Sequence, residues 1–405
     1  MRQVVVHKYG GTSVASPARI KRVCRRIASV ARNHPVVVVV SAMGHTTDRL
    51  IELARKVSPA PPARELDALT ANGETITAPL VAMCLQALGV PAISLTGLQA
   101  GVRTSGHHSK ARIMGIETQR IKAELDAGRV CVVAGFQGFT ESMEITTLGR
   151  GGSDTTAVAL AAVLGARVCE IYTDVDGIYS ADPRVVVRPR KIEYISYEEM
   201  LELAAVGARV MHPRAVEIGE LYGVDIHVRS SFKKGTGTMI VAQVPMEDRN
   251  RVRGVAHESN VAKITVRGVP DRPGVAAALF EPLGAASISV DVIVQNVGVT
   301  GATDITFTVA EDELPQAVAL VQRANQEIGA NEVLSSGGLA KLSIVGTGML
   351  GTPGIAARMF RTLAEEKINI EMISTSEIRI TCLVDRARAG DGVRALHTAF
   401  DLDLQ

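Results

Sequence analysis

A shift of 80 positions lays the C-terminal part of this 405-residue chain onto itself without a gap, which restricts the fold more than any other feature. Pro273-Gly-Val-Ala-Ala-Ala-Leu-Phe280 falls on Pro353-Gly-Ile-Ala-Ala-Arg-Met-Phe360, and Ile288-Ser-Val-Asp-Val-Ile293 falls on Ile368-Asn-Ile-Glu-Met-Ile373. Each copy reads strand, Pro-Gly-started helix, strand, strand (Ile305 to Val309; Ile378 to Val384), helix, the order of a βαββαβ unit. Two ferredoxin-like α+β modules are therefore expected in tandem. The first occupies 246–335 together with the charged, proline-led linker Pro245-Met-Glu-Asp-Arg-Asn-Arg251, and the second occupies 336–405. The repeat also disposes of a decoy. Gly346-Thr-Gly-Met-Leu-Gly351 has the spacing of a dinucleotide fingerprint, but it sits at the same strand-to-helix turn as Gly268-Val-Pro-Asp-Arg-Pro-Gly274, and only 54 residues follow it.

Residues 1–245 follow a different grammar. Val36 to Val40 is a continuous β-branched run, the mark of a strand covered on both faces, and Ala92 to Leu95, Val130 to Ala134, Val168 to Thr173 and Asp225 to Val228 resemble it. Ser16-Pro17 opens a helix whose apolar residues Ile20, Val23, Cys24, Ile27, Val30 and Ala31 recur at helical spacing. Its basic face (Arg19, Lys21, Arg22, Arg25, Arg26, Arg32) reads as solvated. Helical patterns such as Asp154 to Leu164 alternate with the strands, so an α/β fold, an αβα sandwich, is expected.

Composition narrows the partners. Forty-four Lys and Arg against 42 Asp and Glu leave a net charge of +2, too small for a binder of nucleic-acid phosphate or of an anionic membrane. No apolar run approaches the roughly 18 residues of a membrane span, and no signal-peptide core follows Met1, so a cytoplasmic location is expected. Cys24, Cys84, Cys131, Cys169 and Cys382 show no C-x-x-C spacing and read as reduced thiols, with neither disulfides nor a zinc site.

In open α/β sheets chemistry gathers beyond the carboxyl ends of the strands. Lys8-Tyr-Gly-Gly-Thr-Ser13 ends the first strand and is not a P-loop; its lysine beside two glycine amides suits a transferring phosphoryl group, although an ordinary glycine turn is an open alternative. Gly149-Arg-Gly-Gly-Ser-Asp154 adds an arginine fork for a carboxylate to a helix start. Asp174, Asp176, Tyr179, Asp182 and Arg184 crowd one loop, and turn chemistry explains only the aspartates. His107, His108 and Lys110 read as exposed loop residues, and His212-Pro213 as a helix start.

Lys8-Tyr-Gly-Gly-Thr-Ser-Val14, Ser41-Ala-Met-Gly44, Leu148-Gly-Arg-Gly-Gly-Ser-Asp154, Tyr172-Thr-Asp-Val-Asp-Gly177 and Val228-Arg-Ser-Ser-Phe232 resemble the aspartate kinases of the amino-acid kinase family. The repeated half resembles the paired ACT modules of the monofunctional, amino-acid-regulated members; the fused homoserine dehydrogenase of bifunctional members is expected to be absent. The resemblance implies ATP-dependent phosphorylation of the L-aspartate β-carboxylate, the first step toward lysine, threonine and methionine, with Mg²⁺ accompanying ATP and no resident metal. It implies that Lys8, Gly10 and Gly11, with Ser41 nearby, contact the transferring group and that Asp154 orients Lys8 and the magnesium-bound phosphates. Thr173, Asp174, Tyr179, Arg184 and Arg209 would bind the nucleotide, Arg209 standing where members often carry lysine. Glu74 would hold the substrate α-ammonium, Arg150 its α-carboxylate, and Thr47, Thr147 and Ser153 would complete the pocket. A carboxylate substrate is already ionised at neutral pH, so such a site requires no general base. Asp271, Gly274, Val275, Ala276, Gln295 and Asn296 of the first module would meet Asn369 and Ile370 of a partner's second module around threonine and/or lysine, in a homodimer made through the ACT modules. Met246 stands where some relatives start a second, shorter subunit. A sibling amino-acid kinase and a ligand-sensing regulator with a vestigial kinase half are the alternatives.

Overall fold

The structure is a computed structural model that describes residues 3–207, 210–245, 252–296, 301–349 and 351–403. Two compact units emerge. One comprises the chain up to Ile178, Lys191–Ala205 and the described part of 209–248; the other comprises Tyr179–Arg190, Val206 and Gly207, and the described residues after 249. Within the expected 1–245 region, Tyr179–Arg190 thus packs with the second unit: Ala181 and Val186 enter its apolar core beside Val252 and Val255.

The first unit is built on an eight-stranded sheet. Its order is Tyr194–Ser196, Thr238–Val241, Asp225–Ser230, Val168–Thr173, Val5–Tyr9, Val36–Val40, Val130–Ala134, Ala92–Leu95. The strands are parallel from Asp225–Ser230 onward, and Thr238–Val241 runs antiparallel to its neighbour Asp225–Ser230. Every residue of Val36–Val40 is buried, as expected of a central strand. Helices Pro17–Ala31 and Asn72–Ala87 cover one face through Ile20, Val23, Ile27, Val81 and Leu85, while Gly152–Leu164 packs on the other. The αβα sandwich is therefore present. A smaller sheet of Ile113–Ile116, Val102–Thr104, Gln137–Phe139 and Ile145–Thr147 was not foreseen.

The basic face of helix Pro17–Ala31 is exposed as expected, apart from half-buried Arg26, but three of its arginines also bond neighbouring carbonyls. Arg19 donates to the Thr12 carbonyl at 2.6 Å, Arg22 to the Phe232 carbonyl, and Arg26 to the Ser230 carbonyl at 3.3 Å. The Arg26 guanidinium also lies 4.5 Å over the Tyr172 ring, which stacks on Tyr9 at 4.8 Å. Arginine forks seek carbonyls and aromatic faces wherever a neighbouring strand end offers them.

The second unit holds both repeats in one antiparallel six-stranded sheet, ordered Ile293–Asn296, Ala302–Val309, Gly254–Pro270, Glu332–Val345, Arg379–Asp385, Met372–Thr375. The helices Val275–Ala285 and Leu314–Ile328 pack on the first module; Ile355–Glu365 and Ala389–Ala399 pack on the second. Two long strands are shared. Residues 263–267 of Gly254–Pro270 pair with 332–336, whereas residues 254–258 pair with 341–345. The closing strand of the second βαββαβ module thus comes from the segment that precedes the first module.

Candidate active site

Strand Val5–Tyr9 carries Lys8 to its carboxyl end with 8% of the residue exposed, and helix Gly152–Leu164 brings Asp154 to meet it: Lys8 Nζ lies 2.5 Å from Asp154 Oδ1. A buried lysine needs such a partner. On the opposite side of the sheet, helix Asn72–Ala87 places Glu74 in its first turn, 3% exposed. Glu74 Oε1 accepts the Ala42 N–H at 3.0 Å, while Oε2 is buried and has no hydrogen-bond partner among the described residues. Burial pushes the Glu74 carboxyl up to about 7, against the N–H groups of Ala42 and of Glu74 itself and then the Lys8 charge, which pull it down. Ala42 belongs to the turn after Val36–Val40, so the ends of two neighbouring strands meet Lys8, Asp154 and Glu74.

The glycine turn differs from the nest read in the sequence. The Gly10 N–H donates to the Tyr172 carbonyl at 3.1 Å, so one of the two amides expected to face phosphate is already used. Ser41 and Thr47 are half-buried, and the Ser41 N–H donates to the Tyr9 carbonyl at 3.1 Å. Ser153 is buried at the start of the Asp154 helix. Arg150 is exposed and forms no salt bridge among the described residues, which leaves its fork free. Thr173 Oγ1 donates to Asp174 Oδ1 at 3.1 Å. Tyr179 and Arg184 fall in the second unit, where Arg184 is 88% exposed and clasps Asp182 at 2.6 Å. Arg209 and Met246 lie outside the described residues.

Sequence reading missed two residues. Asp67 is 1% exposed and collects donors from Thr147, Ser109 and His108; His108, expected in an exposed loop, is half-buried and lies 3.0 Å from it. Arg214 donates to the carbonyls of Leu148 at 2.7 Å and Ala111 at 2.6 Å. His212 caps helix Pro213–Tyr222 as expected, accepting from the Arg214 N–H. Both missed residues act on backbone many positions away, and no local motif marks such contacts. His107 and Lys110 are exposed, as expected.

In the second unit, a cavity of about 350 Å³ forms at the turn before helix Val275–Ala285 and includes Asp271, Gly274, Val275, Ala276 and Gln295. Asn296 ends the adjoining strand. In the second module, Asn369 Nδ2 donates to Glu371 Oε1 at 3.2 Å, and Ile370 packs against that module's core.

The amino acid kinase family model matches residues 3–230, and the ACT domain model matches 264–324 and 342–400. The aspartokinase of Mycolicibacterium smegmatis is 50% identical over 406 residues, covering 98% of this chain and 96% of the relative. The chain belongs to the aspartate kinases of the amino acid kinase family. Among solved structures similar to this aspartate kinase is E. coli aspartokinase III in complex with aspartate and ADP (R-state), at a TM-score of 0.83 and 26% identity over 98% of this chain and 99% of that one. The same E. coli enzyme in complex with lysine and aspartate (T-state) gives 0.75 at 26% identity, over 98% and 99%. The kinase fold and the regulatory modules expected from the sequence are both present.

Proposed function

We propose that this aspartate kinase transfers the γ-phosphoryl group of ATP to the β-carboxylate of L-aspartate at the Lys8, Asp154 and Glu74 site. The observation that carries the assignment is Glu74 Oε2: a buried carboxylate oxygen without a donor is a receptor for a cation, and the substrate α-ammonium supplies one. The aspartate and ADP held by the E. coli relative support the same pairing of ligands. Arg150, whose fork has no partner among the described residues, grips the α-carboxylate, and Thr47, Thr147 and Ser153 line the pocket. Lys8 stabilises the charge on the transferring group; Asp154 holds Lys8 in place. The β-carboxylate oxygen attacks phosphorus in line, ADP leaves, and an acyl phosphate forms without proton abstraction.

A Mg²⁺ arriving with the nucleotide would keep most of its waters and phosphate ligands and take one or two protein carboxylates, Asp154 being the candidate here. Such an ion neutralises phosphate charge. Gly10, Gly11, Ser41, Thr173, Asp174, Tyr179, Arg184 and Arg209 are the residues proposed for the nucleotide.

The cavity at Asp271 is proposed as the effector pocket, completed by Asn369 and Ile370 of a partner chain in a homodimer, with lysine and/or threonine as ligand; the lysine bound by the E. coli relative supports the class. A shorter subunit begun at Met246 is the alternative assembly. Hydroxamate trapping with Mg-ATP tests the activity: aspartate-dependent acyl phosphate is expected, and its absence, or a preference for glutamate or acetylglutamate, overturns the assignment.

A further inference from the structure

We propose that Asp67 is a positioning residue that sets both the place and the hydrogen-bond polarity of the substrate pocket. The inference rests on the aspartate-binding role of Thr147 given above. Asp67 stands on helix Ala63–Thr70, 1% exposed, and the groups that face it are donors. Thr147 N–H reaches Oδ2 at 3.0 Å and Thr147 Oγ1 reaches Oδ1 at 2.6 Å. The Ser109 N–H is shared between Oδ1 at 3.0 Å and Oδ2 at 2.9 Å, and His108 Nδ1 lies 3.0 Å from Oδ2.

Two consequences follow from this geometry. The Thr147 hydroxyl donates its proton to Asp67 Oδ1, so the remaining lone pairs of Oγ1 can only accept from an incoming ligand. Thr147 therefore selects a donor such as an ammonium and disfavours a carboxylate. The second consequence concerns the loop of Arg150. Ser109 holds φ +65°, a left-handed backbone that is strained for a non-glycine residue and persists only where its surroundings enforce it. Asp67 supplies that enforcement through the Ser109 N–H. The Ser109 carbonyl then lies where a side chain on Gly149 would come within 2.8 Å of it, and Gly149, at φ +78°, leads directly into Arg150. From the other side Arg214 grips the carbonyls of Leu148 and Ala111. The Arg150 loop is thus held between a buried carboxylate and a guanidinium.

Asp67→Asn keeps the volume but puts an amide donor against the Thr147 hydroxyl and reverses its polarity. In the full chain this variant should raise the KM for aspartate at least about tenfold, while kcat and the KM for ATP stay within about threefold. Thr147→Val should raise the KM for aspartate similarly, and the double variant should be little worse than either single one. Trypsin reads the loop without turnover: cleavage after Lys110 and Arg150 should quicken in Asp67→Asn and stay near wild type in Thr147→Val. An unchanged KM for aspartate with unchanged proteolysis overturns the proposal, as does an even loss of kcat and both KM values with a lowered Tm, which marks a merely structural residue. A wild-type chain that does not turn over aspartate defeats the substrate assignment instead, and the proteolysis still decides whether Asp67 braces the loop.

Discussion

Lys8 and Glu74 make opposite demands on the residues around them, and each demand can be measured. Lys8 Nζ is a fixed cation held by Asp154, so Lys8→Ala should keep the fold and lower kcat by about 10²-fold or more, the scale of losing one preorganised charge stabiliser. Steady-state kinetics with a circular-dichroism control checks this, and near-normal turnover removes Lys8 from the mechanism. Glu74 must be ionised to hold an ammonium, yet burial sets its carboxyl at about 7 in the free site. As pH rises from 6 to 8 the ionised fraction grows from about a tenth to about nine tenths, so kcat/KM for aspartate should climb by up to about tenfold and then level off. Glu74→Gln should flatten that profile and weaken aspartate, leaving the KM for ATP little changed. Lys8 and Arg150 were legible in the sequence because glycines and a strand end announce them. Glu74 was legible only through resemblance, since a lone glutamate inside an apolar helix has no motif. Asp67 was not legible at all: its partners lie 42 and 80 residues further along, and the fold alone brings them together.

At the scale of elements, helix Gly152–Leu164 shows how a site is braced. Gly151 precedes it at φ +71° and Gly165 follows it at φ +69°, so alanine at either position meets the same backbone strain, about 1–2 kcal/mol. Their neighbours differ. A Cβ at Gly151 would fall 2.4–2.5 Å from atoms of His212, whereas one at Gly165 would meet nothing within 4 Å among the described residues. Gly151→Ala should accordingly lower Tm clearly more than Gly165→Ala and depress activity as well, because displacing His212 disturbs the cap of the helix that carries Arg214. Calorimetry on the two variants checks it, and equal Tm losses mean that His212 yields freely. The central strand Val36–Val40 was legible because five β-branched residues in a row leave little choice. The four-stranded sheet that ends at Thr147 was not: strands of three and four residues carry too little periodicity to stand out, and tertiary pairing creates them.

For the whole molecule, the Asp271 cavity is the proposed link between end-product concentration and turnover. Asp271→Ala should abolish inhibition by lysine or threonine while uninhibited activity stays near wild type, since a coupling of only about 1–3 kcal/mol accounts for a 5- to 150-fold shift in affinity. Titrating each amino acid, separately and together, against both proteins checks it; unchanged inhibition returns Asp271 to the status of a turn residue. The repeat was legible as two modules, but not their joint sheet, because the long strand Gly254–Pro270 serves one module with each half and shifts register between Glu258 and Lys263, which no local pattern marks. That shared strand limits what inheritance can do with the regulatory half. A recombination point placed between the two repeats would give each descendant a second module whose closing rib comes from the other parent, so changes of effector preference pass more readily through substitutions inside the pair or through exchange of the pair as a whole.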